Sequence, residues 1–461
     1  MLPSLLKRHL LDCFDIRRRE WPFTLAMLAY FFLIIASFWI LKPIKKSVFV
    51  EYYAVGGFDL GPWIMSAAQA ELLAKVLNMV VAMGAVVLFS WLATRFRRQQ
   101  LTYVFSGLFM AAFLVYMPAV VAPSGFTVWS FYLFGDLYST LMVATFFAFL
   151  NDSVTPWTAK RLYGVVGFGG VLGGVAGSTL VAARLAQQTT VAWLWVVFGA
   201  GALTALAAFI AARWSHALPR GPVPVAATPR AEPRAAAPAH PALAGARLTF
   251  RSSYLLAIAA IVGLYELAST VLDFMFTSTV VHYLDGPAIG QHFALVYSLT
   301  NWVAMFVQLL ATSMILRKFG MVTALLVLPA AMLGGATAFA VFPVLWVGSL
   351  LNTADNGFSY SLNQSAREAL YVPTTPDEKY TAKAFIDMFV QRFAKALAVG
   401  LSLAITLVFT NFEDLRWLAG LVVVIIAVWF LAARHAGRHF QAVEAQAPDT
   451  PGAKDRCGAA A

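Results

Sequence analysis

The sequence predicts an all-α polytopic membrane protein, with twelve transmembrane helices in two six-helix pseudo-repeats. Three observations predict it: an apolar majority, apolar windows of spanning length, and a break in composition midway. Of the 461 residues, 60% are hydrophobic and 12% charged, and the mean hydropathy is +0.74. That excludes an ordinary soluble domain. Crossing roughly 30 Å of hydrocarbon as helix takes about 20 residues. Windows of that kind fall at 21–41, 65–94, 101–121, 126–150, 161–183 and 191–212, then at 252–280, 290–316, 320–341, 343–366, 380–409 and 413–433.

Residues 1–20 are expected to form a cytoplasmic N-terminal segment, and no cleavable signal peptide is expected. Its LPSLLKRHLLDCF reads equally as an interfacial amphipathic helix or as a solvated tail. The first six-helix bundle is expected over 21–214. Between spans six and seven the composition turns to LPRGPVPVAATPRAEPRAAAPAHPALAGAR, residues 218–247, rich in Pro and Ala and without apolar periodicity. A solvated, semi-extended cytoplasmic linker over 215–250 follows. The second bundle is expected over 251–434, and a disordered cytoplasmic tail over 435–461.

Lys and Arg collect on alternate loops, at Arg95, Arg97, Arg98, Lys160, Arg161, Arg317, Lys318, Arg367 and Lys379, while the other loops keep little beyond Arg184 and Arg416. By the positive-inside rule both termini are cytoplasmic, in a cell inner membrane. The formal charge of +11 therefore reports topology, and no nucleic-acid partner is expected. Cys13 and Cys457 both fall on the reducing side, so no disulfide is expected.

The two halves echo each other. Leu150-Asn151-Asp152-Ser153 followed by Thr158-Ala159-Lys160 matches Leu362-Asn363-Gln364-Ser365 followed by Thr381-Ala382-Lys383, and Arg95-Phe96-Arg97-Arg98 matches Arg317-Lys318-Phe319-Gly320. Parallel six-helix repeats of this kind are major-facilitator-like, with the substrate site between the halves near the midplane.

A charge at a helix centre costs about 2.5–3.5 kcal/mol on insertion, so it needs a partner, a wet cavity or a function. Here such charges form stripes. Lys383, Asp387, Gln391 and Lys395 recur every four residues with Arg392 beside them. Other stripes are Glu266, Thr270, Asp273 and Thr277; Glu71, Lys75 and Asn78; Asn352, Asp355, Asn356 and Ser359; and Asp136, Tyr138 and Thr140. Glu71 with Lys75, and Lys383 with Asp387, stand at i,i+4 and can neutralise each other. In WILKPIKKSVFV, residues 39–50, Lys42, Lys45 and Lys46 share one helix face with no acid nearby before Glu51. They either snorkel to the outer headgroups or, if the first span runs on to Val50, form a cationic patch facing a cavity.

Other patterns carry no chemistry. Gly164, Gly167, Gly170, Gly174 and Gly177 lie in an apolar span and read as close helix packing, not as a dinucleotide loop. His435 and His439 lie in the tail without the Glu of a zinc-protease motif. Neither a phosphate-binding GxxxxGK[ST] nor a nucleophile constellation is present, so no enzyme, no cofactor and no resident metal are expected.

With these residues in place, the chain resembles the nucleotide exchange transporters, the ATP/ADP translocase family of plastids and intracellular bacteria. Three patches carry the resemblance: FYLFGDLYSTLMVATFFAFLND with TAKRLYGVVGFGG, AREALYVPTTPDEKYTAKAFIDMFVQRFAKALA, and ILKPIKKSVFV. By position, the resemblance places Lys45 at that family's first-span lysine, Asp136 and Asp273 at its fourth- and seventh-span glutamates, and Lys383 and Lys395 at its eleventh-span lysines. Lys42, Pro43 and Lys46 replace an Arg-Asp and a later Asp, and Thr277 replaces a lysine, so the acidic partners of the first-span lysine are missing locally.

The resulting expectation is a secondary active transporter working by alternating access. It would move an organic anion, a nucleotide in ATP/ADP-type exchange or another phosphorylated metabolite. The expected binding residues are Lys42, Lys45, Lys46, Lys75, Asp136, Tyr138, Asp273, Asn356, Lys383, Asp387, Arg392 and Lys395. Expected partners are that small anion, the lipid bilayer and a coupling proton or counter-substrate, with the chain as a monomer. A lipid or amphiphile cargo on the same fold, and a nontransporting scaffold or sensor, remain as alternatives.

Overall fold

The computed structural model describes residue 17 and residues 19–61, 63–215, 241–375 and 381–446. The first six spans are Trp21–Ala54, Ala67–Arg95, Arg98–Ala119, Gly125–Ser153, Pro156–Arg184 and Thr190–Ser215. The seventh is Ser253–Tyr283 and the ninth Gly320–Val341. Three later spans are interrupted by π turns. The eighth is Pro287–Phe306, Val307–Ala311 and Thr312–Lys318; the tenth is Leu345–Phe358, Ser359–Asn363 and Gln364–Leu370; the eleventh is Lys383–Phe385, Ile386–Val390 and Gln391–Val408. Leu415–Gln446 is the last.

Among the described residues, eleven helices are long and apolar enough to cross a membrane. The tenth run is the exception, because Asn352, Asp355, Asn356, Ser359 and Asn363 dilute its hydropathy. It is nevertheless continuous helix, with all of these but Asn356 buried.

Side-chain caps start several helices: Ser66 with Gln69 makes a capping box, and Ser124, Thr155 and Ser252 each accept a backbone N–H of the first turn. Between spans one and two, Phe58–Asp59 pairs antiparallel with Ile64–Met65. Gly57 precedes this hairpin at φ +69, where a Cβ would meet Ile64 at 2.7 Å.

Three boundaries differ from expectation. The first span continues past 41 to Ala54, because Lys42, Lys45 and Lys46 are housed inside the protein. Residues 241–250, expected as linker, belong to a helix Pro241–Arg251, where Thr249 is buried. The expected tail from 435 is helical to Gln446, and His439 stacks on Tyr254 at 4.5 Å between ring centroids. The expected interfacial segment, most of the linker and residues 447–461 lie outside the described residues.

Three apolar cores organise the bundle. One draws on the first six spans plus Ala294, and another on the last six plus Ala68 and Leu72. The third joins Phe49, Val50, Tyr53, Ala70 and Val128 to Phe276, Val280, Ile289, Phe293 and Val296, sealing the face that carries the hairpin. Within the first group, spans one and five lie in close contact through glycines. A Cβ at Gly173 would strike the Phe32 backbone, and one at Gly177 the Ala36 backbone. The packing role expected for Gly170, Gly174 and Gly177 is present, whereas Gly164 and Gly167 face open space. Large apolar side chains such as Val87, Val115, Leu310 and Leu431 stay exposed on the outside, where a lipid solvent meets them.

Candidate substrate cavity

Spans one, two, four, seven, eight, ten and eleven enclose a central cavity of about 650 Å³. Its lining runs from Lys46, Glu71 and Tyr132, beneath the sealed hairpin face, to Arg367, Glu368, Tyr371 and Asp387 near the 370–383 connection. Access is therefore from the face opposite the hairpin. Six lining residues are Lys or Arg (Lys42, Lys45, Lys46, Lys75, Arg367, Lys395) and six are Asp or Glu (Glu71, Asp136, Glu266, Asp273, Glu368, Asp387).

The deep end is built on the lysine face of span one. Lys45 and Lys46 are 4% and 3% exposed, so they do not snorkel. Gly135 lets Lys45 through: a Cβ there would lie 2.6 Å from the lysine Cδ. Beyond that gap the Lys45 ammonium pairs with Asp136, donates to the Tyr132 carbonyl at 3.4 Å and lies 4.3 Å from the Tyr132 ring centroid. Lys46 lies 3.3 Å from Asp273 Oδ1 and 3.6 Å from Glu71 Oε1. Lys75 lies 2.9 Å from Glu71 Oε2 and pairs with Asp273. Tyr132 donates to Glu71 at 2.6 Å, and Asn352 to Asp273 at 3.3 Å.

The acids missing near the first-span lysines in sequence thus come from spans two, four and seven. The i,i+4 pair of Glu71 and Lys75 exists, but as part of this larger network. In such a network each charge offsets the burial cost of the next, and removing one partner costs about 3–5 kcal/mol.

Lys42 differs. Among the described residues it makes no ion pair; its ammonium lies 4.5 Å from the Trp39 ring centroid, 4.8 Å from Tyr297, 5.8 Å from Phe38 and 5.9 Å from Tyr360. Toward the mouth, Lys395 lies 3.3 Å from Glu266, which also accepts from Gln391 at 3.0 Å. Arg367 lines the mouth over the Tyr265 ring, 5.3 Å from its centroid, and makes no ion pair among the described residues.

Nine of the twelve residues expected from sequence line the cavity, Asn356 and Asp387 among them; Tyr138, Lys383 and Arg392 do not. Tyr138 is buried in the first core, 5.0 Å from the Phe109 ring, because residues two apart on a helix face nearly opposite ways and Asp136 takes the cavity side. Lys383 pairs at 2.5 Å with Glu368 instead of Asp387. Arg392 donates to the Met79 carbonyl at 3.4 Å. Sequence reading misses Phe38, Tyr265, Tyr297 and Tyr360, which line the cavity, since in a chain that is 14% aromatic a cavity ring looks like a core ring. It also misses Arg367 and Glu368, which read as loop charges, whereas the helix runs on to Leu370.

The fold is that of the major-facilitator transporters. The crystal structure of nucleoside transporter NupG matches with a TM-score of 0.58 at 11% identity, covering 93% of this chain and 99% of that one. A bacterial homolog of the human lysosomal transporter Spinster, inward-facing and unoccupied, matches with a TM-score of 0.57 at 14% identity, over the same shares. The model of the TLC ATP/ADP transporter family matches residues 120–345 and 331–440. This multi-pass membrane chain belongs to that family. ADP,ATP carrier protein 2 of Chlamydia pneumoniae is 22% identical, over 84% of this chain and 85% of that one. ADP,ATP carrier protein 1 of the same organism is 24% identical, and there the match spans 42% of each chain. The plastidic ATP/ADP-transporter of Solanum tuberosum is 22% identical, over 68% of this chain and 54% of that one.

Proposed function

We propose that the chain carries a nucleotide or a similar phosphorylated anion across the cell inner membrane, by alternating access of two six-helix units, 21–214 and 251–434, with both termini inside. The observation that carries this reading is Lys42, a cavity cation with no ion-pair partner among the described residues, ringed by aromatic side chains. An ammonium over aromatic faces is held weakly, by about 0.5–2 kcal/mol per contact, and an arriving phosphate displaces little to reach it. The rings it leaves suit a planar base. The names of the family and of its relatives support the same cargo, and a lining with twelve charged groups speaks against a lipid.

Lys46 and Lys75 add the coupling. Both hold Asp273 across the two units. A substrate phosphate that takes the place of Asp273 frees that contact, so binding and reorientation become one event. Lys45 with Asp136 and Lys395 with Glu266 supply further cationic points along the path.

The test is counterflow of labelled ATP into proteoliposomes preloaded with ADP. Saturable uptake is expected in the wild type. For Lys42→Ala we expect a KM raised by about tenfold or more, consistent with one lost charge-assisted contact of about 1.5–3 kcal/mol, and partial recovery in Lys42→Arg. Absence of counterflow with every nucleotide tried would remove the substrate class.

A further inference from the structure

Among the described residues, Asp355 is the one fully buried acid without a cation. Its exposure is 0%, Oδ2 accepts a hydrogen bond of 2.6 Å from the Ser269 hydroxyl, and Oδ1 has no hydrogen-bond partner. Every other buried acid has a cation: Glu20 pairs with Arg161, and Glu71 with Lys46 and Lys75. The charged or titratable groups facing Asp355 are Glu266, Asp273 and Tyr265 of span seven, Lys42 of span one and Tyr360 of its own span. Span eight offers Val303 and Thr300 at Gly357, and its His292 is engaged with Ser349 at 2.7 Å, nearer the hairpin face.

An ionisable group inside a membrane protein marks an ion path by default, and an unpaired buried carboxylate is costly to keep. Ser269 connects this one to the outside, because the residue itself lines the cavity. Building on the transport reading above, we infer that Asp355 is the binding site of a proton that travels with the anion, delivered through Ser269. In the delivery step a hydronium in the cavity gives a proton to Ser269 Oγ as the serine's own hydroxyl proton passes to Asp355 Oδ2. The carboxylate becomes a carboxylic acid and the serine is left neutral. Release on the other side reverses the step. One proton per cycle offsets one of the negative charges on the cargo.

The experiment uses the full chain in proteoliposomes holding a pH-sensitive dye, with labelled ATP outside. In the wild type, ATP uptake is expected to rise when the outside is made acidic and to acidify the lumen. Asp355→Asn keeps the hydrogen bond from Ser269; it should retain ATP/ADP counterflow yet lose both the gradient stimulation and the dye signal. Ser269→Ala, which leaves Asp355 in place, should slow the dye response. Infrared difference spectra across a pH jump, recorded without nucleotide, should contain a protonated-carboxyl band that Asp355→Asn removes. Counterflow without any dye signal in the wild type overturns the proton site and leaves the nucleotide reading standing. No counterflow, with the infrared band intact and lost in Asp355→Asn, overturns the nucleotide reading and leaves the proton site standing. An infrared band unchanged in Asp355→Asn overturns the proton site in either case.

Discussion

The two sides of the cavity are built from opposite charges. The first six helices contribute four lysines and two acids to its lining, and the last six contribute four acids with Arg367 and Lys395. They also differ mechanically. Spans one and five lie backbone to backbone on glycine, whereas spans eight, ten and eleven each contain a π turn, a feature frequent at functional sites. The difference teaches that the cationic wall is held rigidly by its own neighbours while the acidic wall has slack. Asp273 is where the two meet.

Removing that meeting point breaks the contrast most. Asp273→Asn leaves Lys46 and Lys75 sharing Glu71 alone, and loss of a buried partner costs about 3–5 kcal/mol. The closed hairpin face should open, and a cysteine placed at Ala70, which is fully buried in that seal, in a chain with Cys13 and Cys457 replaced should label far faster with an impermeant thiol reagent. Unchanged labelling would mean that Asp273 does not tie the two sides together.

A smaller effect is expected from the rigid side. Gly173→Leu forces a side chain against the Phe32 backbone, and overpacking of this kind costs about 1–3 kcal/mol. Thermal unfolding in detergent should fall clearly, while Gly164→Ala, with open space at its Cβ, should leave the midpoint nearly unmoved. Equal shifts would deny the seam its role.

The smallest effect sharpens the distinction between depth and mouth. Lys383 and Glu368 have side chains 30% and 56% exposed, and exposed pairs contribute about 0–1 kcal/mol. Lys383→Ala should change ATP uptake by less than a few fold, measured beside a Lys45→Ala that abolishes it with expression preserved. A Lys383→Ala as damaging as Lys45→Ala would move the binding region to the mouth.

Most of the fold was legible because lipid imposes one simple rule, long apolar runs, and because WILKPIKKSVFV breaks it conspicuously. What was hidden depends on which residues from distant spans meet. No local pattern says that Lys45 will pass Gly135 to reach Asp136, or that Lys46 will find Asp273 some 227 residues away. The π turn at 386–390 likewise has no signature in the spacing, so the four-residue stripe on span eleven reads as more regular than it is. Tyr138 was misplaced by a rule that sequence does contain: residues two apart cannot share a helix face.

The equal numbers of cations and acids around the cavity have an electrical consequence. With all twelve groups ionised the lining is neutral, so the one charge the empty protein carries back through the field is that of Asp355 after its proton has left. A membrane potential therefore acts on both legs of the cycle, at about 2.3 kcal/mol per 100 mV for each unit charge carried across. On the loaded leg it acts on the cargo's own charge, because the proton neutralises Asp355, and on the empty leg on Asp355 alone, so a full cycle moves the cargo's charge less one.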